Sequence, residues 1–195
     1  VFLNNPPGVF TDSGQSLPNG SGRRVVLRDV DNDGDLDAYV SARGTAADRI
    51  WTNQGGLQGG MPATFAASGQ GPGLGRFKSA AALGDVSGDG FADVVLPGSA
   101  PPYFYLNQGA DPPQFTWKGL AADPRSQPTF EAVDNGVALA DLDGIPGLDI
   151  ALGASTGEIR LFLNEGQGLF QPGAGFGTAD LTNFNKVIAL GDMDG

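Results

Sequence analysis

The chain has 195 residues, 22 of them acidic against 11 basic, with no histidine, no cysteine and a formal net charge of −11. That balance argues against nucleic-acid binding, which rewards clustered Lys and Arg, and the lack of cysteine excludes disulfide cross-links. With 32 glycines and 14 prolines the chain is turn-rich, yet 40% hydrophobic residues argue against disorder, so a folded, loop-heavy β protein fits both facts.

In chain order, Val1-Phe-Leu-Asn4 reads as a strand ending on a Leu-Asn landmark and not as a signal peptide. The strand Arg24-Val-Val-Leu-Arg-Asp29 then runs into an acidic loop, Asp29-Val-Asp-Asn-Asp-Gly-Asp-Leu-Asp37. Leu36–Val40 leaves this first loop, Arg49–Thr52 follows and reaches Asn53, and Ala63–Ala66 closes the unit. The same order returns with strand Ala80–Leu83, a second loop Asp85-Val-Ser-Gly-Asp-Gly-Phe-Ala-Asp93, then Val94–Leu96, Tyr103–Leu106 before Asn107, and Gln114–Trp117. It returns again as Val137–Leu139, a third loop Asp141-Leu-Asp-Gly-Ile-Pro-Gly-Leu-Asp149, Ile150–Leu152, Ile159–Phe162 before Leu163-Asn164, and Leu169-Phe170. A fourth loop begins at Asp192-Met-Asp-Gly195. Short β-branched and aromatic runs between Gly, Pro, Asn and Asp are strands, and four per unit make one antiparallel sheet per repeat.

The first Asp of each loop stands at 29, 85, 141 and 192, giving intervals of 56, 56 and 51 residues, and the Asn landmark follows it by 24, 22 and 23. Such a period marks a repeat architecture, and one four-stranded sheet per repeat is what a β-propeller blade requires. The expected fold is therefore all-β, with blades over 24–79, 80–135 and 136–185, the end of a blade at 1–23 and the start of another at 186–195. Three complete and two partial blades form an arc with two apolar side faces, which terminal repeats must cap or close. A fragment of a longer protein, or a half-ring closing on another copy, is expected.

So much negative charge in so few residues repels itself unless a hard cation sits among the oxygens, and carboxylates with carbonyls are the ligand set of Ca2+. In a strand–loop–strand site, positions one, three, five and nine supply side-chain oxygens, position seven a carbonyl, and a glycine at six permits the left-handed turn. The first loop satisfies all of this with Asp29, Asp31, Asp33 and Asp37, the Asp35 carbonyl and Gly34. The second offers Asp85, Ser87, Asp89 and Asp93, with the Phe91 carbonyl and Gly90; Ser87 removes one carboxylate. The third retains Asp141, Asp143 and Asp149, with Ile145 at position five and Gly147 at position seven completing the candidate set. Pro146 sits at its position six, where a proline ring cannot enter the left-handed region, so Gly144 or Gly147 must reshape that turn. Asp192 and Asp194 are the candidates of the fourth. Ligand completeness thus predicts affinity in the order first, second, third. An EF-hand is excluded, because it needs a Glu at its twelfth position and flanking helices, and the twelfth positions here are Val40, Leu96 and Leu152 within apolar strands. No apolar run approaches the ~20 residues of a membrane helix, so membrane insertion is not expected. Millimolar Ca2+ is found outside cells, where weak oxygen cages work, which points to an extracellular protein.

The acidic hairpin, the apolar strand after it and the Leu-Asn-x-Gly turn resemble the FG-GAP or VCBS-type repeat, the blade unit of integrin α-subunit propellers and of many secreted bacterial and fungal proteins. The resemblance implies a seven-bladed ring, a secreted or cell-surface location, and an adhesion, ligand-binding or structural role toward a protein or glycan. The alternative it implies is a non-catalytic propeller portion of a secreted polysaccharide-active enzyme. Without His or Cys, and with most acids in the loops, the chain itself is not expected to be an enzyme; Asp12, Asp48, Glu131 and Glu158 stand outside the loops. Trp51 and Trp117 lie in blade strands, where packing is expected in preference to stacking on sugar. Asn19-Gly-Ser21 is a glycosylation sequon, and Arg23-Arg24 and Arg76-Phe-Lys78 read as a solvated rim.

Overall fold

The computed structural model describes residues 1–5, 8–18, 22–42, 46–55, 60–61, 63–71, 80–97, 103–118, 136–153, 159–166, 168–173, 188 and 190–191. Asp192, Asp194, Glu131, Glu158, the sequon, the Arg76–Lys78 segment and the Arg23 side chain lie outside what is described. The described residues form strands and turns and contain no helix.

Strands β1 (Phe2–Asn5) and β2 (Val9–Asp12) pair as a two-stranded sheet. Three antiparallel four-stranded meanders follow: β3 (Gly22–Arg28), β4 (Asp37–Ala42), β5 (Arg49–Asn53) and β6 (Phe65–Gln70); then β7 (Ala82–Gly84), β8 (Asp93–Leu96), β9 (Tyr103–Asn107) and β10 (Phe115–Lys118); then β11 (Val137–Ala140), β12 (Asp149–Gly153), β13 (Ile159–Asn164) and β14 (Phe170–Pro172). These all-β sheets, each paired in sequence order, are consistent with propeller blades.

The second strand of each blade is buried along its whole length, as Asp37–Ala42, Asp93–Leu96 and Asp149–Gly153 show. A strand covered on both faces carries apolar side chains without alternation, which is why Val94-Val-Leu96 and Ile150-Ala-Leu152 read as continuous hydrophobic runs. The core accordingly lies between blades. Tyr39 and Ile50 of the first blade meet Ala81, Val94 and Leu96 of the second. On the other face of the second blade, Val95 and Phe104 meet Ile150, Phe162 and Phe170 of the third. Phe104 and Phe170 stack there with centroids 4.8 Å apart and planes inclined by 10°.

Two details depart from the expectations. The closing strand of the first blade begins at Phe65 and not at Ala63, because Ala63 takes a left-handed φ of 59° in a turn where the Thr64 amide donates to the Met61 carbonyl. Trp51 packs in the core as expected, against Ala38, Val40, Leu17 and Phe65. Trp117 does not: it is 60% exposed, because β10 is the outermost strand of its sheet and carries mostly exposed residues. Of the acids outside the loops, Asp12 accepts the Gly14 amide in a local turn. Asp48 is fully buried, accepting from the Tyr39 hydroxyl and the Ala42 amide, and so serves the β4–β5 connection.

Candidate metal centre

Each acidic loop connects the first strand of a blade to the second, and all three hairpins share one register. The residue before the loop pairs with its ninth residue: Arg28 with Asp37, Gly84 with Asp93, and Ala140 with Asp149. Fixed register carries each loop position to the same place relative to its sheet. Position six is left-handed where it is glycine, with φ of 93° at Gly34 and 92° at Gly90. In the third loop, where Pro146 occupies that position, the positive φ moves to Gly147 at 142°. Position four is left-handed in all three copies, at Asn32, Gly88 and Gly144. Its occupants, Asn, Gly and Gly, are the residue types that tolerate that region.

The loops differ in how their oxygens are used. In the first, carboxylate oxygens of Asp29, Asp31 and Asp37 lie within 4.8 Å of one another. Ligands on opposite sides of a Ca2+ ion at 2.3–2.6 Å stand about 5 Å apart, so this triplet has the spacing of a cage. Around it, Asp29 Oδ1, Asp33 Oδ2 and both carboxylate oxygens of Asp35 are buried without a hydrogen-bond partner. Buried, unsatisfied carboxylate oxygens are costly, and a divalent cation is the group that satisfies several at once. Asp35 entered the sequence reading for its carbonyl; its side-chain oxygens are turned into the same acidic cluster.

Electrostatics agrees with the geometry. Burial raises the Asp31 pKa from 3.8 to about 7, with the carboxylates of Asp37, Asp33 and Asp29 adding to the rise. Burial, then Asp33 and Asp29, also raises Asp35. Each shift states that a negative charge is disfavoured there until a positive one arrives.

In the third loop, Asp141, Asp143 and Asp149 converge within 4.8 Å, despite Ile145 and Pro146. The second loop forms no such triplet of acids among the described residues, because its third position is Ser87. Asp85 is instead enclosed by its own loop: its Oδ1 accepts from the Gly88 amide at 2.6 Å and the Asp89 amide at 3.1 Å, and its Oδ2 from the Gly90 amide at 2.8 Å. Positions one, three and nine thus converge wherever all three are Asp. Position five stays outside the triplet, and Asp33 and Asp89 each accept the amide of position seven at 2.9 Å.

The ninth-position aspartates, Asp37, Asp93 and Asp149, are fully buried and join the loop to the third strand. Asp37 accepts from Val30 and Asn53 amides, both at 2.8 Å. Asp93 accepts from Val86 and Ser87 at 3.0 Å and from Asn107 at 2.8 Å. Asp149 accepts from Leu142 at 2.6 Å and Asn164 at 2.7 Å. Burial raises the pKa of Asp37 and Asp93, and these amides oppose the rise.

The Asn landmark, which the sequence marked only by recurrence, thereby acquires a cause. Its backbone closes the hairpin loop onto β5, β9 or β13, and its side-chain oxygen, in the later two blades, caps the turn after it. The Gly109 amide donates to Asn107 Oδ1 at 3.1 Å and the Gly166 amide to Asn164 Oδ1 at 2.9 Å. Asn followed two residues later by Gly is the signature of that turn.

Arrangement and sequence together define a β-propeller-type module whose blades carry acidic strand–loop–strand clusters able to hold a metal. Residues 29–96, from the first acidic loop to the end of β8, match the family model of the FG-GAP-like repeat. No curated protein matches the chain. Among the described residues no helix is long and apolar enough to cross a membrane.

Proposed function

We propose that the chain is a Ca2+-binding segment of a secreted or cell-surface β-propeller, acting as an adhesion, ligand-binding or structural module. The observation that carries this reading is the first loop, where three carboxylates converge at the spacing of an oxygen cage and four carboxylate oxygens, of Asp29, Asp33 and Asp35, are buried without partners. A hard cation with 6 to 8 oxygen ligands satisfies such a set, and the preference for oxygen over nitrogen or sulfur follows from a chain with no His and no Cys. In this reading Asp29, Asp31, Asp33, Asp35 and Asp37 hold the ion, which supplies the positive charge that locks the β3–β4 hairpin. The third loop is a second centre through Asp141, Asp143 and Asp149, and the second loop is the weakest of the three. Val25 and Leu27 of β3 are more than half exposed, as are Phe2 and Phe10 of the first sheet. These apolar side chains suit packing against the rest of a propeller or another copy, with a protein or glycan as the external ligand.

Removal of calcium tests the reading. Binding to the folded state alone stabilises by about 2.7 kcal/mol per site at a hundredfold excess over Kd, so chelation should lower the melting temperature of the unaltered chain by several degrees. Asp31→Asn should abolish the first loop's share of that difference and leave the third loop's. A melting curve unmoved by chelator in a metal-free preparation would overturn the calcium assignment. The module reading is checked separately: binding without turnover on a protein or glycan array supports it, whereas release of reducing sugars from a polysaccharide panel by this chain overturns it.

A further inference from the structure

The side-chain amides of Asn107 and Asn164 do not serve their own blades alone. Asn107 Nδ2 donates to the Ala92 carbonyl at 3.2 Å within its blade and to the Val30 carbonyl at 2.7 Å in the first loop of the preceding blade. Asn164 repeats the arrangement, donating to the Leu148 carbonyl at 3.2 Å and to the Val86 carbonyl at 2.9 Å in the second loop. Both asparagines are almost fully buried, at 1% and 2% exposure, so water does not compete for these bonds. Val30 and Val86 each occupy position two of a loop. Their carbonyls belong to the peptide planes that carry position three, Asp31 and Ser87. Position three is the residue whose identity separates the loops with a converging triplet from the one without.

The bonds join end to end. Asp37 accepts from the Val30 amide, the Val30 carbonyl accepts from the Asn107 side chain, and the Asn107 amide donates to Asp93. Asp93 accepts from the Val86 amide, the Val86 carbonyl accepts from the Asn164 side chain, and the Asn164 amide donates to Asp149. One line of hydrogen bonds therefore connects the ninth-position carboxylates of all three loops across two blade junctions.

We propose that the first and second acidic loops are each completed by the blade that follows: Asn107 is a positioning residue for the first loop and Asn164 for the second, so that metal occupancy and blade–blade docking are thermodynamically coupled. The proposal rests on the calcium reading above. An asparagine that fixes the Val30–Asp31 peptide plane orients a ligand without touching the ion, the role that outer-shell partners have at metal sites, where their loss weakens affinity by about 10- to 100-fold. Coupling is reciprocal, so an ion in the first loop must also tighten the junction with the second blade.

The test compares two substitutions of the same kind in the whole chain, with calcium binding followed by titration calorimetry well below the melting transition. Asp31→Asn identifies the first-loop site by its disappearance. Asn107→Ala and Asn164→Ala both break a junction bond and should both cost stability, but only Asn107→Ala should weaken the first-loop site, by about tenfold or more, while Asn164→Ala leaves it within about twofold. A purely structural role for Asn107 would shift that site equally in the two variants, or in neither, and either result overturns the coupling. Should Asn107→Ala fail to fold, the unaltered chain gives the answer by NMR. The Asn107 side-chain amide resonances should move with the same calcium midpoint as the amides of residues 29–37, and resonances that do not follow that midpoint overturn the coupling. Failure of the unaltered chain to bind calcium at all overturns the calcium reading, and this inference with it; binding without the Asn107 effect overturns this inference alone.

Discussion

The first and second acidic loops have the same length, register and left-handed positions, yet they settle their charges in opposite ways. In the second loop Asp85 accepts three amides of its own loop, and the cluster is closed by the backbone. In the first loop Asp29 accepts the Gly34 amide with one oxygen and leaves the other buried and unsatisfied, beside equally unsatisfied oxygens of Asp33 and Asp35. The difference teaches that an acidic loop is poised for a cation when its carboxylates cannot all be satisfied by their own amides. The third position decides much of it: Asp31 adds a third carboxylate to the first cluster, whereas Ser87 turns its hydroxyl toward Asp85 as a donor.

The likeness between the two loops is broken least easily at position nine, where the largest effect is expected. Asp37→Ala strands two amides, one buried and one partly buried, and Asp93→Ala three, two of them buried. At about 1–3 kcal/mol for each unsatisfied donor, losses of about 3–5 kcal/mol are expected for both variants in metal-free buffer, measured by urea unfolding. A loss under about 1 kcal/mol for either would mean that these aspartates are ligands only and do not clasp the hairpin.

A smaller effect sharpens the contrast at position three. Ser87→Asp should give the second loop the acidic triplet of the other two, and with it an added calcium-dependent stabilisation of up to about 2.7 kcal/mol at a hundredfold excess over Kd. An unchanged calcium dependence of the melting temperature in this variant would show that the closed Asp85 arrangement, and not the missing carboxylate, sets the second loop apart.

The smallest effect is electrostatic and is read at Asp31 in the first loop. The folded-state pKa of Asp31 is raised from 3.8 to about 7, so the folded metal-free chain holds this proton more tightly than the unfolded one. Its contribution to stability is full below about pH 3.8 and is lost as pH rises toward and through about 7. Difference melting of the chain and its Asp31→Asn variant, in chelator and across that window, should show the gap between them varying with pH in that sense. Saturating calcium should flatten or reverse the slope, because the ion requires the ionised carboxylate. A gap independent of pH would place Asp31 in solvent and outside the cluster.

Much of this molecule was legible in its sequence because repetition supplies its own controls. The strand runs, the period near 56 residues and the nine-residue acidic pattern sufficed for an all-β propeller-type fold and for hairpin loops with glycine at the left-handed position. Those features depend on local chemistry: β-branched runs, turn residues, and the φ that glycine alone adopts freely. Ligand counting along the sequence ranked the third loop last for its Ile145 and Pro146, and there it reached its limit. Position five lies outside the converging triplet, and Gly147 takes over the positive φ.

Three matters were decided only when the blades came together. Trp117, read as a packing residue, lies exposed because its strand is the outer one, and strand order is a property of the sheet. Buried Asp48 became part of the β4–β5 connection through Tyr39 and Ala42, a meeting that no spacing rule anticipates. The reason for the recurring Asn lies 77 and 78 residues away in sequence, in the carbonyls of the preceding blade's loop. A sequence records that a residue recurs at a given interval; the hydrogen bonds that account for it form across a junction, where burial makes an unpaired amide or carbonyl too costly to leave.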